Sequence, residues 1–263
     1  MKQTGMRKAY AGTQAVVRAL SLLKAFHDEK PSWTLMDLAN DQKLNKTTTF
    51  RLLTALESEG LVRRESETET YTLGLQAIVI GARAMRSNSL RTVCRPELKK
   101  LADLSRETAT LEVLNGRHVL ILDEATGTYL MGRVQSIGTR WPAFATSTGK
   151  AIMAYLQQAE ADAILRYSLP KYTPKTVTDP SALRKEFEVI KRVGYAVADE
   201  ALELGFLAVG APLLQHDGDV VGAISVGGPT VRLIPERAQD LGQMVCRAAQ
   251  RISKHLGYRK ESS

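Results

Sequence analysis

The 263-residue sequence has few cysteines and no long apolar run. Its two cysteines, Cys94 and Cys246, lie far apart, and because no export signal is evident we expect reduced thiols in a cytosolic protein. No apolar stretch approaches the ~20 residues of a membrane-spanning helix. The basic N-terminus is not followed directly by the apolar segment of a signal peptide. These absences predict a cytoplasmic protein that has no membrane partner.

The sequence also lacks a catalytic or metal-binding pattern. The histidines are not spaced like the ligands of a metal ion. The four are His27, His118, His216 and His255. The segment ATSTGKA (145–151) looks like a phosphate-binding loop, but Phe144 and Ala151 occupy positions where that loop needs glycine and a hydroxyl residue. Ser147 and Lys150 have the Ser-x-x-Lys spacing of some hydrolases, yet the companion motifs are missing. We therefore expect neither an enzyme nor a bound metal or other cofactor.

Positive charge is concentrated at the start of the chain. The formal net charge is +8, and Lys2, Arg7, Lys8, Arg18 and Lys24 precede the first acidic residue. Such clustering suits a polyanion, of which nucleic acid is the commonest. Charge alone is also compatible with a soluble protein that carries a basic tail.

Three short helical segments follow, with a tight link between the second and third. Residues 13–27 and 34–42 place apolar side chains at helical spacing, and Thr34 is a plausible N-cap. After a three-residue connection, a third helix begins near Lys46 and ends before Gly60, which suits a C′ position. This arrangement is typical of a helix-turn-helix.

The third helix opens with Thr47, Thr48 and Thr49, which are poor helix formers. Short hydroxyl side chains at the first turn of a helix in the DNA major groove can hydrogen-bond to bases and contact thymine methyl groups. The neighbouring Lys46 and Arg51 can reach phosphate or guanine, and Asn45 is the expected N-cap. Taken alone, the run also fits a capped surface helix without a ligand. Together with the preceding helices and the basic start it favours DNA binding.

A small hairpin and a further helix are predicted next. The β-prone runs 61–64 and 70–73 flank an acidic turn and predict the wing of a winged helix, with Arg63 and Arg64 as additional DNA contacts. Residues 75–86 are apolar nearly all round, which predicts a helix that joins two domains and packs on a partner chain. The predicted domains are a DNA-binding domain (1–74), a linker and dimerisation helix (75–89) and a C-terminal domain (90–263).

The remainder alternates helices with antiparallel strand signals. Asn115-Gly116 and Asp217-Gly218 each separate two β-prone segments and predict hairpin turns. Helices are predicted over 91–106, 147–166, 180–193 and 235–256. We expect an α+β domain whose antiparallel sheet is flanked by helices.

Five motifs resemble the IclR family of bacterial transcriptional regulators. They are LNKTTTFRLLTALESEGLV (44–62), YTLG (71–74), ATSTGKA (145–151), GYAVADEALELG (194–205) and GAISVGGP (222–229). One departure is Asn45, where the family commonly has proline. The resemblance implies a winged helix-turn-helix joined to a GAF-like effector-binding domain, a homodimer or homotetramer, and no catalysis.

The ATSTGKA segment is the predicted effector site. Small residues before a helix leave the backbone N–H groups of Ser147, Thr148 and Gly149 available to a carboxylate, although close packing alone could also require them. The family resemblance implies small organic acids as effectors. It also implies further binding positions, namely Leu130, Arg133, Asp199, Phe206, Ala208, Ser225 and Gly227. Arg133 could bind an acid bidentately or form a surface ion pair.

The sequence therefore predicts a transcriptional regulator whose affinity for a palindromic double-stranded operator depends on a small organic acid. Two recognition helices of a symmetric dimer would read half-sites ~34 Å apart or a multiple of that distance. A catabolic operon is the expected target, and activation and repression both fit. The alternative is a metabolic enzyme or small-molecule sensor with an incidental basic arm.

Overall fold

A computed structural model describes residues 12–27, 29–129 and 137–259 of the chain. The chain divides into two compact units, with the boundary between Ser87 and Asn88. Within the described ranges, no helix combines the length and the apolar character needed to cross a membrane. The two units are described separately.

The N-terminal unit is a helix-turn-helix with a small sheet. Its helices are α1 (Gln14–Lys24), α2 (Leu35–Asp41), α3 (Lys46–Ser58) and α4 (Leu75–Arg86). Its strands are β1 (Trp33–Thr34), β2 (Val62–Glu65) and β3 (Thr70–Leu73), and they form an antiparallel sheet in the order β1-β3-β2. The hairpin of β2 and β3 is the wing. Leu22, Leu38 and Leu53 are fully buried and join the three-helix core to the wing residue Val62.

Side-chain caps fix the starts of α2 and α3. The Thr34 hydroxyl accepts a hydrogen bond from the Asp37 N–H, and the Asn45 Oδ1 accepts one from the Thr48 N–H at 2.8 Å. Gly60 follows α3 with a φ of 67°, a left-handed conformation that glycine adopts without strain. The predicted caps and the terminating glycine are therefore confirmed.

Helix α4 exposes an unusual amount of apolar surface. None of its residues is buried, and Leu75 and Ile78 are 79% and 67% exposed. Helix α1 likewise exposes Val16 and Leu20. Contiguous apolar exposure of this kind marks interaction surfaces.

The C-terminal unit is a six-stranded antiparallel sheet flanked by helices. Its sheet order is β6-β5-β4-β9-β8-β7. The strands are β4 (Thr108–Asn115), β5 (His118–Ala125), β6 (Arg140–Pro142), β7 (Ala196–Asp199), β8 (Phe206–Leu214) and β9 (Val220–Pro229). The helices are α5 (Ser89–Ser105), α6 (Ser147–Tyr155), α7 (Gln158–Leu165), α8 (Pro180–Val193) and α9 (Ala238–His255). The predicted α+β class is confirmed.

The two faces of this sheet differ in what covers them. One face carries Leu111 and Val226, which pack in a core with Leu98 of α5 and Val245 of α9. The opposite face lies beneath α6 and α8, where the strands present Ala223 together with polar residues of β4 and β9. Glu112 and Ser225 of this second face line the cavity described below.

The structure differs from the sequence predictions in several places, among them the short strands β6 and β7, which were not predicted. The predicted helix 147–166 is two helices, because Leu156 and Gln157 adopt extended backbone conformations with ψ of 158° and 143°. The predicted helix 235–256 opens with a 3-10 turn at residues 235–237. Strand β1 was not predicted, since two residues are too short to show a period.

Candidate DNA-binding surface and effector pocket

A groove of about 550 Å³ lies on the N-terminal unit between the start of α3 and the wing. Among its lining residues are Lys46 and Thr47 of α3 and Arg64 of β2, all of which are exposed. Arg51, one turn further along α3, is also exposed. The fold therefore places four of the seven predicted DNA-binding side chains on exposed surface at or near this groove.

The three threonines have different environments. Thr47 is exposed and Thr48 is partly buried, but Thr49 is 0% exposed. The Thr49 hydroxyl donates to the backbone oxygen of Asn45 at 3.1 Å. The expectation that Thr49 contacts DNA is corrected accordingly, because its side chain belongs to the core of the helix-turn-helix.

The two wing arginines are both engaged in ion pairs. Arg63 bonds to Glu65, and Arg64 bonds to Glu69. The Arg64 guanidinium also lies 6.0 Å from the centre of the Tyr71 ring, within cation–π range. Only Arg64 is part of the groove, so the two predicted wing contacts are not equivalent.

Sequence reasoning missed the apolar part of this groove. Phe50 and Met36 line it and are 47% and 49% exposed. The signal was present, because Phe50 follows three threonines at a position that the helical period places outside the core. Exposed apolar groups can contact thymine methyl groups in a major groove.

The C-terminal unit contains a cavity of about 200 Å³ on the sheet face beneath α6. Its apolar walls include Trp141, Leu202, Phe206 and Ala208. Its polar lining includes Glu112 of β4, Ser147 and Thr148 at the start of α6, and Ser225 of β9. A cavity with apolar walls and a few convergent polar groups is the usual form of a small-molecule site.

Six of the predicted effector-binding residues line this cavity. They are Ser147, Thr148, Phe206, Ala208, Ser225 and Gly227. Gly149 and Asp199 do not line it, whereas Leu130 and Arg133 lie outside the described residues. Asp199 instead bonds to the Lys175 ammonium at 2.9 Å.

Gly149 has a packing role that the sequence had left open. A Cβ at this position would lie 2.1 Å from the backbone oxygen of Ala143, so no larger residue fits without displacement of the backbone. A Cβ at Gly210 of β8 would similarly lie 2.9 Å from the Thr148 nitrogen. Gly149 therefore allows α6 to lie against the preceding 3-10 turn at residues 143–145, and Gly210 allows the start of α6 to lie directly against the sheet.

Glu112 is the principal pocket residue that sequence reasoning missed. It is 5% exposed, and its two carboxyl oxygens accept hydrogen bonds from the hydroxyls of Thr110 at 2.8 Å and Thr148 at 2.6 Å. Burial raises the pKa of this carboxyl, while the two hydroxyls act in the opposite direction. A charged residue within the apolar strand sequence ATLEVL was the available signal.

The family comparisons agree on both units. The IclR helix-turn-helix domain matches residues 15–66, and the bacterial transcriptional regulator IclR C-terminal domain matches residues 82–254. The protein belongs to the IclR family of bacterial transcriptional regulators. It is accordingly a DNA-binding transcriptional regulator and not an enzyme, and its helix-turn-helix is the DNA-binding element.

Individual relatives span nearly the whole chain. The acetate operon repressor of Salmonella typhimurium is 31% identical over 247 residues, which cover 93% of this chain and 90% of the relative. An IclR transcriptional regulator from Silicibacter sp. TM1040 has 27% identity and a TM-score of 0.82, with coverage of 93% and 97%. An IclR homologue from Microbacterium hydrocarbonoxydans, solved with 4-hydroxybenzoate, has 24% identity, a TM-score of 0.78 and coverage of 92% and 98%.

Replacing Glu112 of this IclR-family regulator with glutamine is expected to stabilise the ligand-free protein at neutral pH. Burial raises the pKa of the Glu112 carboxyl in the folded protein above its value in the unfolded chain. The ionised carboxyl therefore destabilises the folded state, and this cost is greatest at a pH where the group is ionised in both states. The free energy of unfolding of Glu112→Gln, relative to that of the parent, should therefore increase as the pH rises from below the usual pKa range of glutamate to above the raised pKa. Each unit of pKa difference between the folded and unfolded states corresponds to about 1.4 kcal/mol, or a melting-temperature shift of roughly 3–6 °C.

Thermal unfolding of both proteins from pH 4 to pH 8 measures this difference, since the other titrating groups are common to both. A Glu188→Gln variant is the matched control, because Glu188 is an exposed carboxylate of the same unit. A Glu112→Gln protein that is less stable than the parent at pH 8 would show that the threonine hydrogen bonds outweigh the cost of burial.

Proposed function

We propose that this regulator acts as a dimeric or tetrameric repressor of a catabolic operon, which a small organic acid releases from a palindromic operator. The single observation that carries the proposal is the pairing of an exposed recognition helix with a lined cavity in a separate compact unit. Repression is supported by the names of relatives such as the acetate operon repressor. Intracellular action on DNA requires a cytoplasmic location, which the sequence also favours.

The proposed DNA contacts come from the exposed start of α3. Thr47 and Arg51 would read base edges, while Lys46 and Arg64 would contact phosphates. Thr48 is partly buried and contributes less side-chain surface. Arg63, which lies outside the groove, would contact the neighbouring backbone if its ion pair with Glu65 opens.

The proposed effector site is the cavity beneath α6. The start of α6 contributes Ser147 and Thr148, and the helix dipole there favours a carboxylate. The Microbacterium homologue solved with 4-hydroxybenzoate supports an organic acid of this general size. Arg133, predicted as a further carboxylate partner, remains a sequence-based expectation.

The proposed dimer contact is the apolar surface of α4 and α1. Ile78 and Leu75 leave most of their side-chain surface exposed, and association with a second copy would bury it. A palindromic operator requires two recognition helices related by a twofold axis. Helix α4 immediately precedes the boundary between the two units. We therefore propose that it also couples them, so that effector binding in one unit changes the fraction of protein that is competent to bind DNA.

Fluorescence anisotropy on a duplex obtained from the regulated promoter tests the proposal. Without effector we expect tight binding that depends steeply on salt. The logarithm of the association constant should fall linearly with the logarithm of salt concentration, with roughly one unit of slope for each phosphate contact. A panel of organic acids screened by thermal shift should contain compounds that both stabilise the protein and weaken operator binding. Acids that bind without changing operator affinity would contradict the proposed control.

A further inference from the structure

The carboxyl group of Glu112 is set into the wall of the effector cavity. The side chain lies on β4, on the sheet face that α6 covers, and it is held by one hydroxyl from its own strand and one from α6. The Thr110 hydroxyl is in turn 2.8 Å from the Ser225 hydroxyl on the neighbouring strand. Three elements therefore fix the orientation of this carboxyl before any ligand arrives.

These contacts leave the carboxyl with unused acceptor capacity. An ionised carboxylate has about four lone-pair sites on its two oxygens. Within the described part of the chain, Thr110 and Thr148 occupy one site on each oxygen. Because Glu112 lines the cavity, a bound molecule that donates a hydrogen bond can use the remaining acceptor capacity.

The rest of the described lining offers this carboxyl no positive partner. Glu112 and Glu203 are the charged residues among the described lining residues, and no lysine or arginine occurs among them. Taking a carboxylate out of water without a compensating partner is unfavourable. A second carboxylate placed directly against Glu112 would increase that cost through like-charge repulsion.

We infer that the effector carries an O–H or N–H donor group that hydrogen-bonds to Glu112, with its acid group directed away from this residue. The inference rests on the proposed function, because it assigns part of the same ligand. It predicts that the regulator distinguishes hydroxyl- or amino-substituted acids from their unsubstituted parents. A bound analogue without the donor would exclude water from the remaining lone-pair sites of Glu112 and supply no hydrogen bond in return, so it should bind less tightly.

The test measures dissociation constants by isothermal titration calorimetry for matched acids. The panel contains benzoate, 4-hydroxybenzoate and 4-aminobenzoate, and propionate with its 2-hydroxy and 2-amino derivatives. For the wild-type protein we expect one donor-bearing acid to bind about tenfold to a hundredfold more tightly than its parent, as a hydrogen bond to a charged group implies. A preference for the hydroxyl or the amino derivative then identifies the donor.

Glu112→Gln should reduce that preference to about threefold or less, since the amide has one acceptor oxygen and no charge. Glu188→Gln, which removes an exposed carboxylate of the same unit, should retain the wild-type preference. Circular dichroism spectra that match the wild type exclude misfolding as the cause.

Each other outcome contradicts a defined part of the account. Equal binding of parent and donor-bearing acids to the wild type, or a preference that survives in Glu112→Gln, overturns the inference while the proposed function stands. If no acid of the panel binds and none weakens operator binding, the proposed organic-acid control fails together with the inference.

Discussion

The Thr47→Ala, Arg51→Ala double variant is expected to bind all duplex sequences with nearly equal affinity. Both side chains are exposed on α3, whose start is fixed by the Asn45 cap. A well-formed side-chain contact to a base contributes about 1–3 kcal/mol of discrimination. Loss of two such contacts in each half of a dimer should reduce the preference for operator over random duplex at least a hundredfold. Competition anisotropy with operator and scrambled duplexes measures that ratio.

The matched control for this variant is Ser58→Ala at the opposite end of α3. The exposed Ser58 hydroxyl donates a hydrogen bond to the Ala55 oxygen within the helix. By the rise of an α-helix, Ser58 lies about 16 Å along the axis from Thr47. The control should keep the operator preference, and the double variant should keep its affinity for effector. A double variant that still prefers the operator would show that α3 does not read the sequence.

Placing lysine at both Ile78 and Val79 is expected to convert the proposed dimer to monomers and to abolish tight operator binding. Ile78 is 67% exposed on α4, and Val79 also exposes its side chain. Burial of each aliphatic side chain contributes roughly 1.5–3 kcal/mol, and a symmetric interface loses each contribution twice. Like charges brought together across the twofold axis add repulsion. Sedimentation velocity gives the oligomeric state, and anisotropy gives the expected loss of at least about a hundredfold in operator affinity.

A Gln76→Lys variant is the control for added charge. Gln76 is exposed on the same helix, so the variant carries a lysine on α4 while both aliphatic residues remain. It should stay dimeric and bind the operator. If the Ile78, Val79 variant remains dimeric and still responds to the effector, α4 is neither the interface nor the coupling element.

The helix-turn-helix was largely predictable because its signals are local. Helices α2 and α3 each begin with a capping side chain close in sequence, and the apolar period of α3 identifies Leu53 and Leu56 as buried. The burial of Thr49 follows from the same period, because Thr49 precedes Leu53 by four residues and Leu56 by seven and therefore shares their face. The sequence prediction treated the three threonines as one polar run and did not apply the period to them.

The candidate effector pocket was less predictable because distant parts of the chain build it. The ATSTGKA segment marked the start of α6, yet the acceptor that Thr148 contacts is Glu112, 36 residues earlier. Strand β4 is buried on both faces over its first five residues. The alternation of apolar and polar residues that marks a half-exposed strand is therefore missing, and it could not show which side chains face the cavity. The register of β4 with β9, which pairs Thr110 with Ser225, supplies that information.

Selection from a pool of random duplexes tests the central claim most directly, because the operator sequence emerges from the experiment itself. The protein is mixed with the pool, bound DNA is recovered over several rounds, and the enriched sequences are read. The account predicts one enriched palindrome with half-sites about one helical turn apart, or a multiple of that spacing, and no such enrichment with the Thr47, Arg51 double variant. Enrichment of the same palindrome by both proteins, or recovery of random sequences by the wild type, would contradict it.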